Sequence, residues 1–236
     1  MTKVRVVDIE TSGLPDEEQH AICEIGWYDL HLETMAINNP ISFLVNPGHP
    51  LRPHIRAIHH ISDEMVANAM TPDKAVQTLL LGMEPGDILA AHFASFERKF
   101  IDAGDFPWIC TWKVSLRAWP EYISHGNQAL RYELDIDGEA DFSPNLAMVV
   151  HRSLPDAYVT AHILRKQLAL RPLDRLIQIS NEPGFLYWCP GQKHKGKTFK
   201  EVAQIDPSYL RWIADKSDMG EDEKFSARHW LQKVTA

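Results

Sequence analysis

The stretch "VVDIETSGLP" at 6–15 sets two acids, Asp8 and Glu10, at the end of an apolar run that begins at Lys3. Val4, Val6 and Val7 are β-branched, and such a run reads as a core strand buried on both faces. Side chains two apart on a strand share a face, so both carboxylates point to one side. Like charges held this close raise one another's pKa unless a cation stands between them. Two further places put acids where a strand hands over to a helix. Glu97 follows the apolar run 87–92, and "HRSLPDAY" at 151–158 sets His151 five residues ahead of Asp156. Four carboxylates beside a histidine suit a hard divalent cation with oxygen ligands, and the histidine supplies a base for a bound water. Any one of these acids is more often a solvated surface group. Their order and context carry the weight.

The elements that must position them follow from hydrophobic patterning. Strands are expected at 3–9, 22–30 and 41–46, with "INNP" and "NPGHP" as breaks, and connections this short give an antiparallel meander. A helix at 73–82, a strand at 87–92 and a helix at 95–103 capped by Ser95 come next. A fifth strand is expected at 108–111, then helices at 113–119, 127–134 and 154–169. Ser153 reads as the cap of the last of these, with Pro155 tolerated in its first turn. The sum is an α/β domain with a mixed sheet of about five strands flanked by helices. The pattern changes at 171–184, a short helix closed by a Pro-Gly stop. This divides the chain into a main domain at 1–170, a linking helix at 171–184 and a small α-rich appendage at 185–236. Roughly 50 residues are marginal for an independent fold, so the appendage is expected to pack on the main domain.

The 236 residues, 44% hydrophobic and 24% charged, have the composition of an ordinary water-soluble globular protein. No run approaches the roughly 18 apolar residues of a membrane span, and no cationic-then-apolar leader opens the chain. Cys23, Cys110 and Cys189 lie far apart without a CxxC pair, which points to reduced thiols in a cytoplasm and to no structural zinc. The net charge of −8 argues against coating nucleic acid through the overall field. It is compatible with an enzyme acting on a polyanion, because carboxylates that hold metal ions present positive charge to it.

Against that balance, "QKHKGKTFK" carries Lys193, Lys195, Lys197 and Lys200 with no acid among them. It reads either as a solvated turn or as a phosphate-contacting surface. Glu24 reads either as a partner of the active-site loop or as an edge-of-sheet charge. His59 and His60 lack further ligands at metal spacing and read as a helix-end pair. Trp108, Trp112 and Trp119 read as packing aromatics ahead of base-stacking ones.

Taken in order, "VDIETSGL" (7–14), "AHFASFERKF" (91–100) and "HRSLPDAY" (151–158) resemble the three motifs of the DEDDh 3′–5′ exonucleases, a family of ribonuclease H-like fold. "AIHHIS" (57–62), "WICTWKVSLRAWP" (108–120) and "GNQAL" (126–130) look like further segments of that family. "GQKHKGKTFKEVAQIDPSYLRWI" resembles the C-terminal segment of its exodeoxyribonuclease X-like members. The resemblance covers nearly the whole chain. It implies Asp8, Glu10, Glu97 and Asp156 as ligands of two Mg²⁺ or Mn²⁺ ions and His151 as general base. The product would be nucleoside 5′-monophosphates. DNA, with single-stranded 3′ ends foremost, is the expected partner. Thr11, Gly13 and Leu14 would hold the terminal nucleotide, with Phe93 and Phe96 beside it, and Lys193, Lys195 and Lys197 would guide the strand.

The second motif departs from the family's H-N-A-x-F-D, reading His92-Phe93-Ala94-Ser95-Phe96-Glu97. Glu for Asp extends the carboxylate by one methylene, roughly 1.3 Å. Phe for Asn deletes hydrogen-bonding capacity. Two other readings therefore stay open. One is an exoribonuclease, because the motifs read the phosphodiester and not the sugar. The other is a non-catalytic nucleic-acid or polymerase-associated module in which Phe93 and Glu97 mark decay. Members of the family often form homodimers, and no segment of this sequence marks an interface.

Overall fold

The computed structural model describes residues 2–234. Strands β1 (Lys3–Thr11), β2 (Ile22–His31), β3 (Ile37–Leu44), β4 (Ile88–Ala91) and β5 (Trp108–Cys110) form one sheet in the order β3-β2-β1-β4-β5. Short connections make β1, β2 and β3 an antiparallel meander, while β4 and β5 run parallel to β1 after longer crossovers. Between them lie α1 (Pro53–His59), α2 (Asp63–Val66), α3 (Pro72–Leu80) and α4 (Ala94–Glu97). Beyond β5 come α5 (Thr111–Ala118), α6 (Asn127–Glu133), α7 (Ser153–Leu170) and α8 (Leu173–Asn181). The tail carries α9 (Phe199–Ile205), α10 (Pro207–Asp215) and α11 (Glu221–Val234). This is the expected mixed sheet of five strands flanked by helices.

Two elements depart from the patterning. β3 starts at Ile37 and runs through Asn38–Pro40, where a break was expected. It is the sheet's edge, where a missing N–H is tolerated. A bulge with Asn39 at φ 55° takes up the extra residues between the pairs Trp27↔Ile41 and Asp29↔Asn38. The helix expected at 95–103 is the single turn α4. Phe93, not Ser95, holds its N-cap position, with no side-chain capping bond. Tightened bonds from Lys99 N–H to Phe96 O and from Phe100 N–H to Glu97 O carry the chain on to buried Ile101.

The sheet separates two cores. On one face Val4, Val6, Tyr28 and Leu30 pack with Ala157, Ala161 and Leu164 of α7. On the other, Val7 and Ile9 pack with Leu79 of α3 and Leu89 of β4. Helix α7 lies close over β2 because Gly26 has no side chain there: a Cβ would stand 2.7 Å from the Leu154 nitrogen. The tail has a small core of its own around Phe199, Val202, Leu210, Ile213 and Ala227. It is tied to the main domain where Arg117 lies over the Phe185 ring (5.8 Å) and Trp188 Nε1 donates to the Tyr122 carbonyl (3.3 Å). No helix among the described residues is long and apolar enough to cross a membrane.

Candidate active site

Along β1 the residues facing α7 are Val4 and Val6 in the core, then Asp8 and Glu10. The face turns from apolar to acidic where α7 begins, at the carboxyl end of the parallel strands, the usual place for a site in an α/β sheet. Across the ladder Asp8 pairs with Gly26 and Glu10 with Glu24. Glu24 is buried and takes three donors from the start of α7: Arg152 Nε (2.9 Å), Arg152 Nη2 and the Ser153 N–H (2.9 Å). This corrects the expected cap. Ser153 is the first residue of α7 and its buried Oγ has no partner, while a carboxylate from β2 satisfies the helix's free N–H.

One turn into α7, Asp156 is held from both sides. Its Oδ1 accepts from Gln128 Nε2 (3.1 Å) and its Oδ2 from the backbone N–H of His151 (2.8 Å). Asp8, Glu10 and Asp156 each offer an oxygen within 4.8 Å of the others. Glu97 arrives from the far side on α4, only 4% exposed, and its Oε2 has no hydrogen-bond partner. A cleft of about 430 Å³ brings Asp8, Glu97, His151 and Asp156 to one space, with Phe93 on its wall.

The electrostatics ask for positive charge. Burial, then the carboxylates of Asp156 and Glu10, push Asp8 well above the usual range. Burial, then Asp156 and Glu24, raise Glu10 to about 8, against a smaller opposing pull from Arg152. Burial alone lifts Glu97 to about 8. Asp156 is raised by burial against the two hydrogen bonds it accepts. An oxygen-only donor set with one unpartnered buried oxygen fits a hard divalent cation. A second acidic cluster, Glu139, Asp141 and His162, has comparable spacing but already contains cations. Arg165 reaches Glu139 (2.6 Å) and Asp141 (2.5 Å), and Lys166 reaches Glu139 (2.8 Å). Arg165 holds Asp141 down at about 2, the opposite of what happens in the cleft.

The second motif shows what its altered residues do. His92 bonds Thr111 Oγ1 through Nδ1 (2.9 Å) and the His125 carbonyl through Nε2 (2.9 Å). Burial depresses it to about 4, so it is a neutral tether between the end of β4 and the loop before α6. Phe93 is 45% exposed and packs its ring 4.8 Å from that of Trp112. Glu97 delivers its carboxylate to the cleft. His151 is exposed in a left-handed conformation at φ 64°, with its N–H fixed by Asp156.

Other expected site residues lie further out. Thr11 Oγ1 donates to the Gly13 carbonyl (2.9 Å), and Gly13 is buried where a Cβ would meet Arg52 Nη2 at 2.5 Å. Leu14 stands 55% exposed at the turn. Thr11 ends β1, Gly13 and Leu14 sit on the turn after it, and none of the three lines the carboxylate cleft. Phe96 is partly buried and packs on Phe100 (5.1 Å) against the core beneath β4. Lys193 is exposed and forms a surface ion pair with Asp206 (2.7 Å), which also takes His194 and caps α10. Lys195, Lys197 and Lys200 are exposed. Sequence reading assigned no role to Gln128 or Arg152. "GNQAL" was singled out as a segment, but nothing local signals a bond from Gln128 to a carboxylate on another helix.

Residues 6–164 match the model of the family described as "Exonuclease", and residues 193–218 match "Exodeoxyribonuclease X-like C-terminal". The chain is 32% identical over 235 residues to Exodeoxyribonuclease 10 of Escherichia coli (strain K12), covering 98% of this chain and 100% of that one. A shorter likeness, 32% over 96 residues, covers 41% of this chain and 43% of the DNA polymerase III subunit epsilon of Treponema pallidum (strain Nichols). The solved structure "Exonuclease X in complex with 5′ overhanging duplex DNA" matches with a TM-score of 0.63 at 32% identity, covering 75% of this chain and 99% of that one. With the sheet order, the carboxylate cluster and the three motifs in sequence, these matches place the chain in the exonuclease family of ribonuclease H-like fold.

Proposed function

We propose that this protein is a metal-dependent 3′–5′ exonuclease that releases nucleoside 5′-monophosphates from DNA ends. The observation that carries the reading is the meeting of Asp8, Glu10 and Asp156 within 4.8 Å, with Asp8 and Asp156 sharing one cleft with His151 and with Glu97, whose Oε2 has no partner. DNA is the substrate that the full-length relative's name and the DNA-bound neighbour support. A pair of Mg²⁺ or Mn²⁺ ions would be held by Asp8, Glu10, Glu97 and Asp156, and when bound would supply an activated water and charge for the departing oxygen.

The chain's own residues do the rest. His151 accepts the proton of the attacking water at its imidazole; its exposure leaves the ring free to reach that water. Asp156 accepts from the His151 backbone N–H, which ties the base's backbone to a ligand while leaving its ring exposed. Glu24 and Arg152 lock the start of α7 to β2 and so set where both stand. Thr11, Gly13 and Leu14, on the turn leading out of the acidic strand end, grip the terminal nucleotide, with exposed Leu14 as the apolar surface against its base. Phe93 lines the cleft in place of an amide. Glu97, although longer than aspartate, still reaches the site, which favours a working enzyme over a decayed one.

The test uses DNA and RNA, single- and double-stranded, labelled at the 5′ end, with Mg²⁺, Mn²⁺ or EDTA. DNA shortened from the 3′ end with metal and intact in EDTA is the expected result. No shortening of DNA with either metal overturns the proposal, and shortening of RNA alone overturns the choice of substrate.

A further inference from the structure

A groove of about 370 Å³ opens beside the catalytic cleft, between the loop before α6 and the start of the C-terminal segment. Trp112, Ile123, Tyr187 and Trp188 supply its apolar surface, and Ser124 and Gly126 line both this groove and the cleft. The Phe93–Trp112 ring pair forms a continuous aromatic wall from one to the other. Ile123 is 91% exposed and Trp188 36%, so large apolar side chains face water next to the site. Trp188 is held ready: its Nε1 donates to the Tyr122 carbonyl and its ring meets Tyr187 edge-to-face at 5.0 Å.

The charge pattern also points to a polyanion. Among the described residues no acidic one lines the groove, in a chain of net charge −8. Trp188 pairs with Thr198 across a short bridge, with bonds from Cys189 N–H to Lys197 O (2.8 Å) and from Phe199 N–H to Tyr187 O (2.9 Å). That bridge joins the segment of Trp188 to the turn bearing exposed Lys195 and Lys197, with Lys197 one residue from the bridge partner Thr198. Flat rings beside free lysines are the combination that binds single-stranded nucleic acid, bases on the rings and phosphates on the cations.

We propose that this groove is a base-stacking subsite for the strand whose end lies at the carboxylates, with an unpaired base against Trp188 and Trp112 and phosphates at Lys195 and Lys197. The subsite rests on the nuclease reading and adds to it a role for the C-terminal segment: it holds the substrate through bases, without reading their sequence, as well as through charge.

The test is equilibrium binding, by fluorescence anisotropy in EDTA, of a labelled ten-nucleotide single-stranded DNA and of an abasic strand of equal length. The wild-type protein is expected to bind the base-bearing strand more tightly. Trp188→Ala weakens that binding roughly 5- to 150-fold, the range for loss of one stacked base, and removes the preference over the abasic strand. Ile123→Glu, at a surface position where the fold is not at risk, weakens it in the same direction. Equal wild-type affinity for the two strands, or both variants within twofold of wild type, overturns the subsite. So does a self-association of the wild type that Ile123→Glu abolishes, since a second copy then covers the groove. Nucleotide release with Mn²⁺, measured in parallel, separates the two claims. Base-dependent binding without release refutes the proposed activity and keeps the groove; release without a Trp188 effect does the reverse.

Discussion

Replacing Glu97 by Gln is expected to make the metal-free protein more stable while removing its activity. Glu97 is 4% exposed with one oxygen unpartnered, and burial pushes its carboxyl from 4.5 to about 8. The unfolded chain loses this proton near 4.5 and the folded protein keeps it until about 8. Between those values the native state binds more protons, so its stability falls as pH rises through that window. At about 1.36 kcal/mol per pKa unit, the cost at pH 7 is on the order of 3 kcal/mol. Glu97→Gln carries no such charge. In EDTA at pH 7 it should exceed wild type by about 3 kcal/mol, or roughly 6–12 °C in Tm for a chain of this size. The gap should close toward pH 4.5. Mn²⁺ should raise the Tm of wild type, more at pH 8 than at pH 6 because the ligands must shed protons, and raise that of the variant less. Thermal unfolding followed by circular dichroism across pH, with and without metal, measures all of this. Equal pH slopes for the two proteins in EDTA, or equal stabilisation by Mn²⁺, refutes the account of Glu97 as a buried charge waiting for a cation.

His151→Ala should lower kcat for nucleotide release by about 10²–10⁴ with little change in KM, since it removes a base and leaves the carboxylates in place. Arg152→Ala strands the buried Glu24 carboxylate and should cost about 3 kcal/mol by urea denaturation, with loss of activity; a variant as stable as wild type would show that Glu24 needs no cation. Gly26→Ala puts a Cβ 2.7 Å from the Leu154 nitrogen and should cost about 1–3 kcal/mol by lifting α7, visible as reduced Tm and weaker Mn²⁺ binding. Substituting Lys195, Lys197 and Lys200 by Ala together should flatten the salt dependence of single-stranded DNA binding by about 0.7 per lost phosphate contact. An unchanged slope would assign these lysines to plain solvent-facing roles.

Much of this architecture is legible in the sequence. The meander, the fifth strand and helix α7 all follow from runs of β-branched or periodic apolar residues, which are local signals. The chemistry at Asp8 and Glu10 was legible because the strand period puts them on one face beside apolar neighbours. Boundaries failed where context outweighed propensity. β3 continues through Pro40 because it lies at an edge. α4 stops after one turn, although its residues favour a longer helix. Ser153 has the right type for a cap, but Glu24 takes that role from the neighbouring strand. Trp112, read as a packing residue, is half-buried, with one side against Phe93 and another facing a groove.

By itself the sequence determined which acids could act together and on which elements they stand, because β alternation and helix starts are written in neighbouring residues. Only the tertiary structure decided that Glu24 and Arg152, 128 positions apart, lock α7 over the acidic face of β1. It also decided that Glu97 is buried with one oxygen unpartnered, that Asp206 pairs with Lys193, and that the tail sets Trp188 in a groove adjoining the cleft. Those outcomes depend on close packing and on desolvated charge between distant segments. Neither leaves a trace in local spacing, and both become visible once the sheet and α7 are brought together.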